Sequence, residues 1–254
     1  MLGGYRFVAS ANAPSRSHIG RSGCSACGEF GERGVRGVIA RSASVGTRQY
    51  ARRPRCVAQR KSCKPWGRDV SQFLLQMSGV PGSGKSTIAR AVGAHCSAVV
   101  LDHDDTKSAL LAQGMDGPAA GRASYAVIRA LASALLGQRL SVIIDSPCLY
   151  DELLEFGQRI AMVHGVEYRY IECVLADVDV VGQRLRERVP KPSQIRSLEG
   201  EIEHSGLRYN ARDLFEIWRV SMKRPASGRL IVDTSMPRDE CIARSIEYVA
   251  FGHA

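Results

Sequence analysis

From residue 71 onward the chain alternates short apolar runs with longer stretches of helical period. Gln72-Phe73-Leu74-Leu75-Gln76-Met77 is an apolar run closed by a glycine-rich turn, the pattern of a strand buried on both faces of a parallel sheet. Residues 85–95 read as a helix, and Ala98-Val99-Val100-Leu101 as a second strand running into Asp102-His103-Asp104-Asp105. Asp104 or Asp105 is expected to cap a helix over 106–112. Residues 119–137 set Ala120, Ala123, Val127, Leu131 and Ala134 at spacings of three and four, which predicts a long amphipathic helix with these residues on its apolar face. A third strand over 140–144 ends at Asp145, followed by a helix near 150–164 and a strand near 167–175. The helix predicted over 177–189 carries Asp177 and Asp179 at its positive end and is stopped by Pro190 and Pro192. The stretch 190–212 is polar and mixed in charge. A helix near 212–222 presents Leu214, Phe215 and Trp218, Leu230-Ile231-Val232-Asp233 reads as a fifth strand, and 237–250 closes the chain as a helix. This alternation predicts an α/β fold, a five-stranded parallel sheet with helices on both faces.

Residues 1–68 lack any such period. They are rich in Arg, Ser and Gly and are expected to be disordered, since they bury too little surface to offset chain entropy. The chain therefore divides into a basic extension, 1–68, and a domain over 69–254. Net charge sharpens the division: residues 1–70 hold fourteen Lys and Arg against three acids, a balance of +11, leaving −1 of the total +10 for the rest. The basic character is thus no sign of a nucleic-acid-binding domain. The extension has the composition of an organellar transit peptide, but also that of an unstructured tail or an upstream start of translation, so the expected location is cytoplasmic, or mitochondrial if the segment is a transit peptide. No apolar run is long enough to span a membrane. Cys24, Cys27, Cys56 and Cys63 provide four thiols, but the second pair is separated by six residues, outside the usual spacing for structural zinc. Cys96, Cys148, Cys173 and Cys241 fall in helix or strand segments and read as buried, reduced thiols.

The strongest chemical signal is Gly79-Val80-Pro81-Gly82-Ser83-Gly84-Lys85-Ser86-Thr87, which fits GxxxxGK[ST] between a strand and a helix. Gly79, Gly82 and Gly84 let backbone N–H groups turn toward phosphates, and the helix that follows points its positive end at the same anion. Lys85 supplies a point charge. Ser86 is placed to coordinate Mg²⁺, and Thr87 adds a phosphate contact. Asp145, at the carboxyl end of a strand, is a second candidate for holding Mg²⁺.

A hydroxyl that attacks phosphorus must give up its proton, and the acidic cluster at 102–105 offers carboxylates at another strand end for that task. Arg184 and Arg188, four residues apart, are expected to share a helix face and clamp phosphate, with Arg186 pointing away and Lys191 or Arg196 joining from the loop. His103, His164 and His204 lack metal-ligand spacing. Trp218 and Phe215 read as packing residues rather than as a stacking platform for a base.

Four motifs together, Gly-Val-Pro-Gly-Ser-Gly-Lys-Ser-Thr at 79–87, Leu-Asp-His-Asp-Asp-Thr-Lys at 101–107, Val-Ile-Ile-Asp-Ser at 142–146 and Arg-Leu-Arg-Glu-Arg at 184–188, resemble the AAA_33-type P-loop kinases. That group includes the kinase domain of polynucleotide kinases, with zeta toxin and chloramphenicol phosphotransferase as more distant relatives. The resemblance spans about 72–250. It implies that Asp104 is the base, that Lys107 binds substrate, that Arg188 is a lid arginine acting in catalysis beside Lys85, and that the acidic position after the third strand falls near Asp145, one residue offset. The expected activity is transfer of the γ-phosphoryl of ATP, with Mg²⁺, to a hydroxyl of a small molecule or a polynucleotide 5′ end. The nucleotide would be held by the residues of 79–87 and Arg184, under a lid at about 189–212. A rival reading is an ATP-binding or hydrolysing switch acting on a protein partner. No membrane or obligate protein partner is inferred.

Overall fold

Phe73–Ser78 forms β1, and all six of its residues are buried, as a run so poor in polar groups requires. The computed structural model describes residues 71–204 and 207–252. The extension 1–68, expected to be disordered, and Cys24, Cys27, Cys56 and Cys63 lie outside the described residues. Four further strands join β1 in one sheet: β2 (Val99–Asp102), β3 (Val142–Asp145), β4 (Glu167–Val174) and, late in the chain, β7 (Arg229–Asp233). The order is β2-β3-β1-β4-β7 and every pairing is parallel.

Side chains alternate across β1. Phe73, Leu75 and Met77 pack with Ile88 and Val92 of α1 (Lys85–Cys96) and Tyr248 and Val249 of α7 (Arg238–Phe251). Leu74 faces the other way, with Ile128, Ala132 and Leu136 of α3 (Gly117–Gly137) and Ile160 and Ala161 of α4 (Asp151–His164). Helices thus cover both faces, as the alternation of elements predicts. The chain leaves β1 toward β2 on one side and later returns past it to β4 on the other, so the turn after β1 opens into the crevice where such sheets bind ligands.

Two expectations are corrected. α3 exists over the predicted residues, but its buried stripe is Ala120, Ser124, Ile128, Ala132 and Leu136, while Val127 and Leu131 are more than 40% exposed and Ala134 is exposed. The sequence there is apolar nearly all round, so spacing selects a helix without selecting its inner face. The cap ahead of 106–112 is Asp102 rather than Asp104 or Asp105: α2 (His103–Ala112) begins directly after β2, and the Asp102 side chain accepts from the N–H groups of both.

The polar stretch 190–212 holds an element the sequence pattern does not announce. β5 (Glu201–His204) pairs antiparallel with β6 (Leu207–Asn210), which leads into α6 (Ala211–Ser221). Phe215 of α6 is fully buried against Val80, Leu175, Leu198, and Val181 and Leu185 of α5 (Val178–Glu187), with Trp218 packed beside it. Both aromatics are packing residues, as their helical spacing predicts. This cluster seats Val80 of the glycine-rich turn.

Candidate active site

Gly79, Gly82 and Gly84 all adopt positive φ, at 129°, 81° and 85°. At Gly79 the requirement is also steric, because a Cβ there would stand 2.4 Å from the Cys173 carbonyl oxygen and 2.6 Å from Ser83 Oγ. Ser83 N–H donates to Val80 O at 3.1 Å and closes the turn. Gly84 then caps α1 without a side chain to accept from the first amides, so the positive end of α1 is left facing the loop. Lys85 is buried and forms no ion pair with any described residue; Ser86 is half-buried and Thr87 exposed. The Ser83 hydroxyl is buried without a partner.

Register places the next groups. Asp102 and Asp145 are direct partners across β2 and β3, so both carboxylates emerge at the sheet's carboxyl edge. Their surroundings differ. Asp145 is buried at 2% exposure and neither oxygen has a hydrogen-bond partner among the described residues. Burial pushes its pKa up, against the pull of the Lys85 charge and of the Ser86 hydroxyl, which faces it short of hydrogen-bond geometry. Two orphaned carboxylate oxygens beside a P-loop hydroxyl form a hard-oxygen donor set, and that set fits a Mg²⁺ ion. Asp102 is spoken for: it caps α2, and its Oδ2 meets Arg90 at 3.2 Å and Lys191 Nζ at 2.6 Å.

Asp104 lies two residues into α2. Burial raises its pKa, but His103, the Lys85 charge and a hydrogen bond from Gln194 outweigh that and hold the carboxyl well below the usual range. The Lys85 charge therefore bears on Asp104 and Asp145 alike. Lys107, one turn on, reaches across to α3, with Cε 3.9 Å from where a Cβ on Gly121 would stand. Its charge, after burial, lowers the pKa of His204 on β5. His103 was not singled out by its spacing, yet its Nδ1 lies 3.8 Å from Asp104 Oδ1, its ring packs on Tyr125 with centroids 4.1 Å apart, and its Nε2 is buried without a partner. Tyr150 meets Tyr125 edge-on, with centroids 6.1 Å apart.

The residues after α5 cross this site. Lys191 Nζ bridges Asp102 and Asp105, the latter at 2.7 Å. Ser193 Oγ donates to the Asp104 carbonyl at 3.0 Å and is bound by Ser108 Oγ at 2.9 Å. Gln194 Nε2 donates to Asp104 Oδ2 at 2.6 Å. The polar code of 190–212 hides both residues from sequence reading, because nothing in it tells which partner each side chain meets.

Arg184 and Arg188 do not converge as their spacing predicts. α5 ends at Glu187 and Arg188 follows as its C-cap with extended backbone, ψ 153°, and the two side chains reach different partners. Arg188 donates to the Ile195 carbonyl at 2.6 Å; burial lowers its pKa and the Asp104 charge opposes this. Arg184 turns to Thr234, after β7, donating to its carbonyl at 2.8 Å, and stands 4.0 Å from the Cβ position of Gly84. Arg186 pairs with Glu199 at 3.5 Å, away from both, and Arg196 is exposed.

A parallel sheet in this order, with a glycine-rich loop leading from its central strand into a helix, defines a P-loop NTPase of kinase-like fold. The chain belongs to the AAA_33 family, described as an AAA domain, which it matches over residues 74–203. No curated protein matches it. Among solved structures it is similar to a candidate kinase from Chloroflexus aurantiacus J-10-fl, at 21% identity and TM-score 0.56 over 72% of this chain and 100% of that one. It is also similar to a gluconokinase from Sinorhizobium meliloti 1021, at 15% identity and TM-score 0.47 over 72% and 94%. A third is the APS kinase CysC of Mycobacterium tuberculosis in complex with AMPPNP and APS, at 18% and 0.44 over 70% and 96%. At these identities the first likeness speaks to fold alone.

Proposed function

We propose that the chain is an ATP- and Mg²⁺-dependent phosphotransferase that moves the γ-phosphoryl of ATP to a hydroxyl acceptor, a small molecule or a polynucleotide 5′ end. The observation that carries the reading is the glycine-rich turn that opens onto the uncapped end of α1 with Lys85 buried there, together with two carboxylates of opposite surroundings, Asp104 hydrogen-bonded by Gln194 and Asp145 buried and unpartnered. A base, a phosphate-binding cation and a metal ligand are the parts that phosphoryl transfer needs.

The amides of 79–84 and the open end of α1 receive the phosphates, with Lys85 neutralising the β and γ groups and Thr87 at the rim. Ser86 and Asp145 would hold Mg²⁺, which would draw charge from the transferring phosphoryl. Asp104 accepts the acceptor's proton as its oxygen bonds to the γ-phosphorus and the bond to the β–γ bridging oxygen breaks, releasing ADP. Lys107, on the Asp104 face of α2, faces the acceptor. Arg184 lies on the nucleotide side beside Gly84 and Thr234, and Arg188 on the Asp104 side, stabilising charge in the transition state. The segment at about 189–212, with β5 and β6, serves as the lid of a domain that begins near residue 69.

The test is ATP consumption by the protein, alone and against 5′-hydroxyl oligonucleotides, nucleosides, sugars and aminoglycosides. Stimulation by one acceptor class, lost in Lys85→Ala and reduced by about 10² to 10⁴ in Asp104→Asn, is the expected result. Steady hydrolysis that ignores acceptors and survives Asp104→Asn would overturn the reading in favour of a nucleotide-driven switch.

A further inference from the structure

Gln194 has no part in the transfer chemistry above, yet it holds the group on which that chemistry depends. Its amide is fixed at both ends. Oε1 accepts from the Lys191 backbone N–H at 3.2 Å, which leaves the NH₂ group to face Asp104, where it donates to Oδ2 at 2.6 Å. Ser193 Oγ lies 3.4 Å from the other oxygen, Oδ1. A hydroxyl about to lose its proton must make this same contact, donating to a carboxylate oxygen at hydrogen-bond distance. The segment thus presents to Asp104 a donor of the kind an acceptor would present.

A site that activates a hydroxyl beside ATP faces a competing reaction. Water also carries a proton that Asp104 can take: its oxygen would bond to the γ-phosphorus, the bond to the β–γ bridging oxygen would break, and ADP and phosphate would leave. Covering Asp104 until the acceptor arrives would suppress that loss.

We propose that Gln194 is the residue that selects against water, its amide occupying Asp104 in the absence of acceptor and giving way to the acceptor's hydroxyl. The inference rests on the phosphotransferase reading of Asp104. Three features support it. The segment is clasped outside the contact itself, by Lys191 on Asp102 and Asp105 and by Ser193 on Ser108, so Gln194 can yield without the segment being lost. An amide NH₂ donates but cannot take a proton from Asp104, so it covers the base without reacting. The carboxylate is surrounded by groups that favour its charged form, His103 on α2, Lys85 on α1 and Arg188 after α5, with Asp102 and Asp145 opposing, so the base stays ionised once Gln194 has left.

The experiment uses the whole chain with Mg·ATP and water only, so no acceptor need be known. Phosphate release is compared for wild type, Gln194→Ala and Gln194→Met, each with and without Asp104→Asn, and nucleotide affinity is followed with a fluorescent ATP analogue. Gln194→Met keeps nearly the same length while bringing neither a donor nor a base to Asp104, so it removes the contact even where truncation disturbs the segment. A hydrogen bond to a charged group is worth about ten- to a hundredfold in an equilibrium, so hydrolysis is expected to rise by about tenfold or more in both variants. The rise should vanish with Asp104→Asn, nucleotide affinity staying unchanged. Wild-type hydrolysis in both variants, at unaltered nucleotide affinity, overturns the proposal and leaves acceptor-dependent transfer standing. A rise that persists in the Asp104→Asn background overturns the proposal and removes Asp104 as the base as well.

Discussion

Asp145 and Asp104 carry the same side chain, and the fold drives their acidities apart. Asp145 sits at the end of β3 with no hydrogen-bond donor on either oxygen, so burial dominates and its charged form is disfavoured. A buried carboxylate kept in that condition lowers stability until a cation joins it. Asp145→Asn is therefore expected to raise the melting temperature in metal-free buffer, by about 1–3 kcal/mol of stability, and to abolish the Mg²⁺ dependence of nucleotide binding. Thermal denaturation with EDTA, then with Mg·ATP, checks both halves; a variant less stable than wild type without metal would place Asp145 in the structural framework instead. At this scale the sequence was legible in placement: Lys85 and Ser86 at the start of α1 follow from the glycine-rich motif, and Asp145 at the end of β3 from the apolar run before it. It was silent on Gln194, Ser193 and His103, because a side chain's partner across the fold leaves no trace in local spacing.

At the scale of elements, α2 shows how one side chain ties a helix to the rest of the site. Asp102 caps α2 through Asp104 N–H at 2.8 Å while holding Arg90 and Lys191, and although burial works to raise its pKa, Lys191 and the Asp105 amide bring it below the ordinary value. Asn also caps a helix well, so Asp102→Asn keeps the cap and removes the charge. The expected cost is about 1 kcal/mol at neutral pH, since Arg90 and Lys191 both reach water. The sign follows from the lowered pKa: this stabilisation is present above the unfolded value of about 4 and is lost as pH falls through the folded one. Denaturant unfolding of wild type and variant should therefore differ at pH 7 and converge in strong acid. The elements themselves were readable from period and composition, but not every face or partner. The stripe on α3 shifted by one position because Val127 and Leu131 are as apolar as Ile128 and Leu136. β5 and β6 are hidden in the sequence because each is only four residues long and lies in a polar, mostly exposed stretch.

For the whole molecule, alternating strands and helices dictate a parallel sheet but not the order β2-β3-β1-β4-β7, which emerges only when the crossovers are seen. That order matters for function because it sets β1, with its glycine-rich turn, between β3 and β4 and brings Asp102 level with Asp145. The same turn is seated on α5 and α6 through Val80, so a ligand that binds it joins the sheet's edge, the first turn of α1 and the α5–α6 cluster. Ligand binding to the native state alone stabilises by about 2.7 kcal/mol at a hundred times the dissociation constant. For a domain of this size that is a rise of roughly 5–10 °C in melting temperature. Mg·ATP is expected to produce it in wild type, in Asp104→Asn and in Gln194→Ala, whose changes lie on the acceptor side, and to lose most of it in Lys85→Ala. Gly79→Ala should lose it too, since its Cβ would displace the Cys173 carbonyl or Ser83 and deform the turn itself. Differential scanning calorimetry on the five proteins separates these outcomes. Equal shifts in all of them would mean that the nucleotide binds elsewhere, whereas loss confined to Lys85→Ala and Gly79→Ala would tie phosphate binding to the turn and leave Asp104 and Gln194 to the chemistry beyond it.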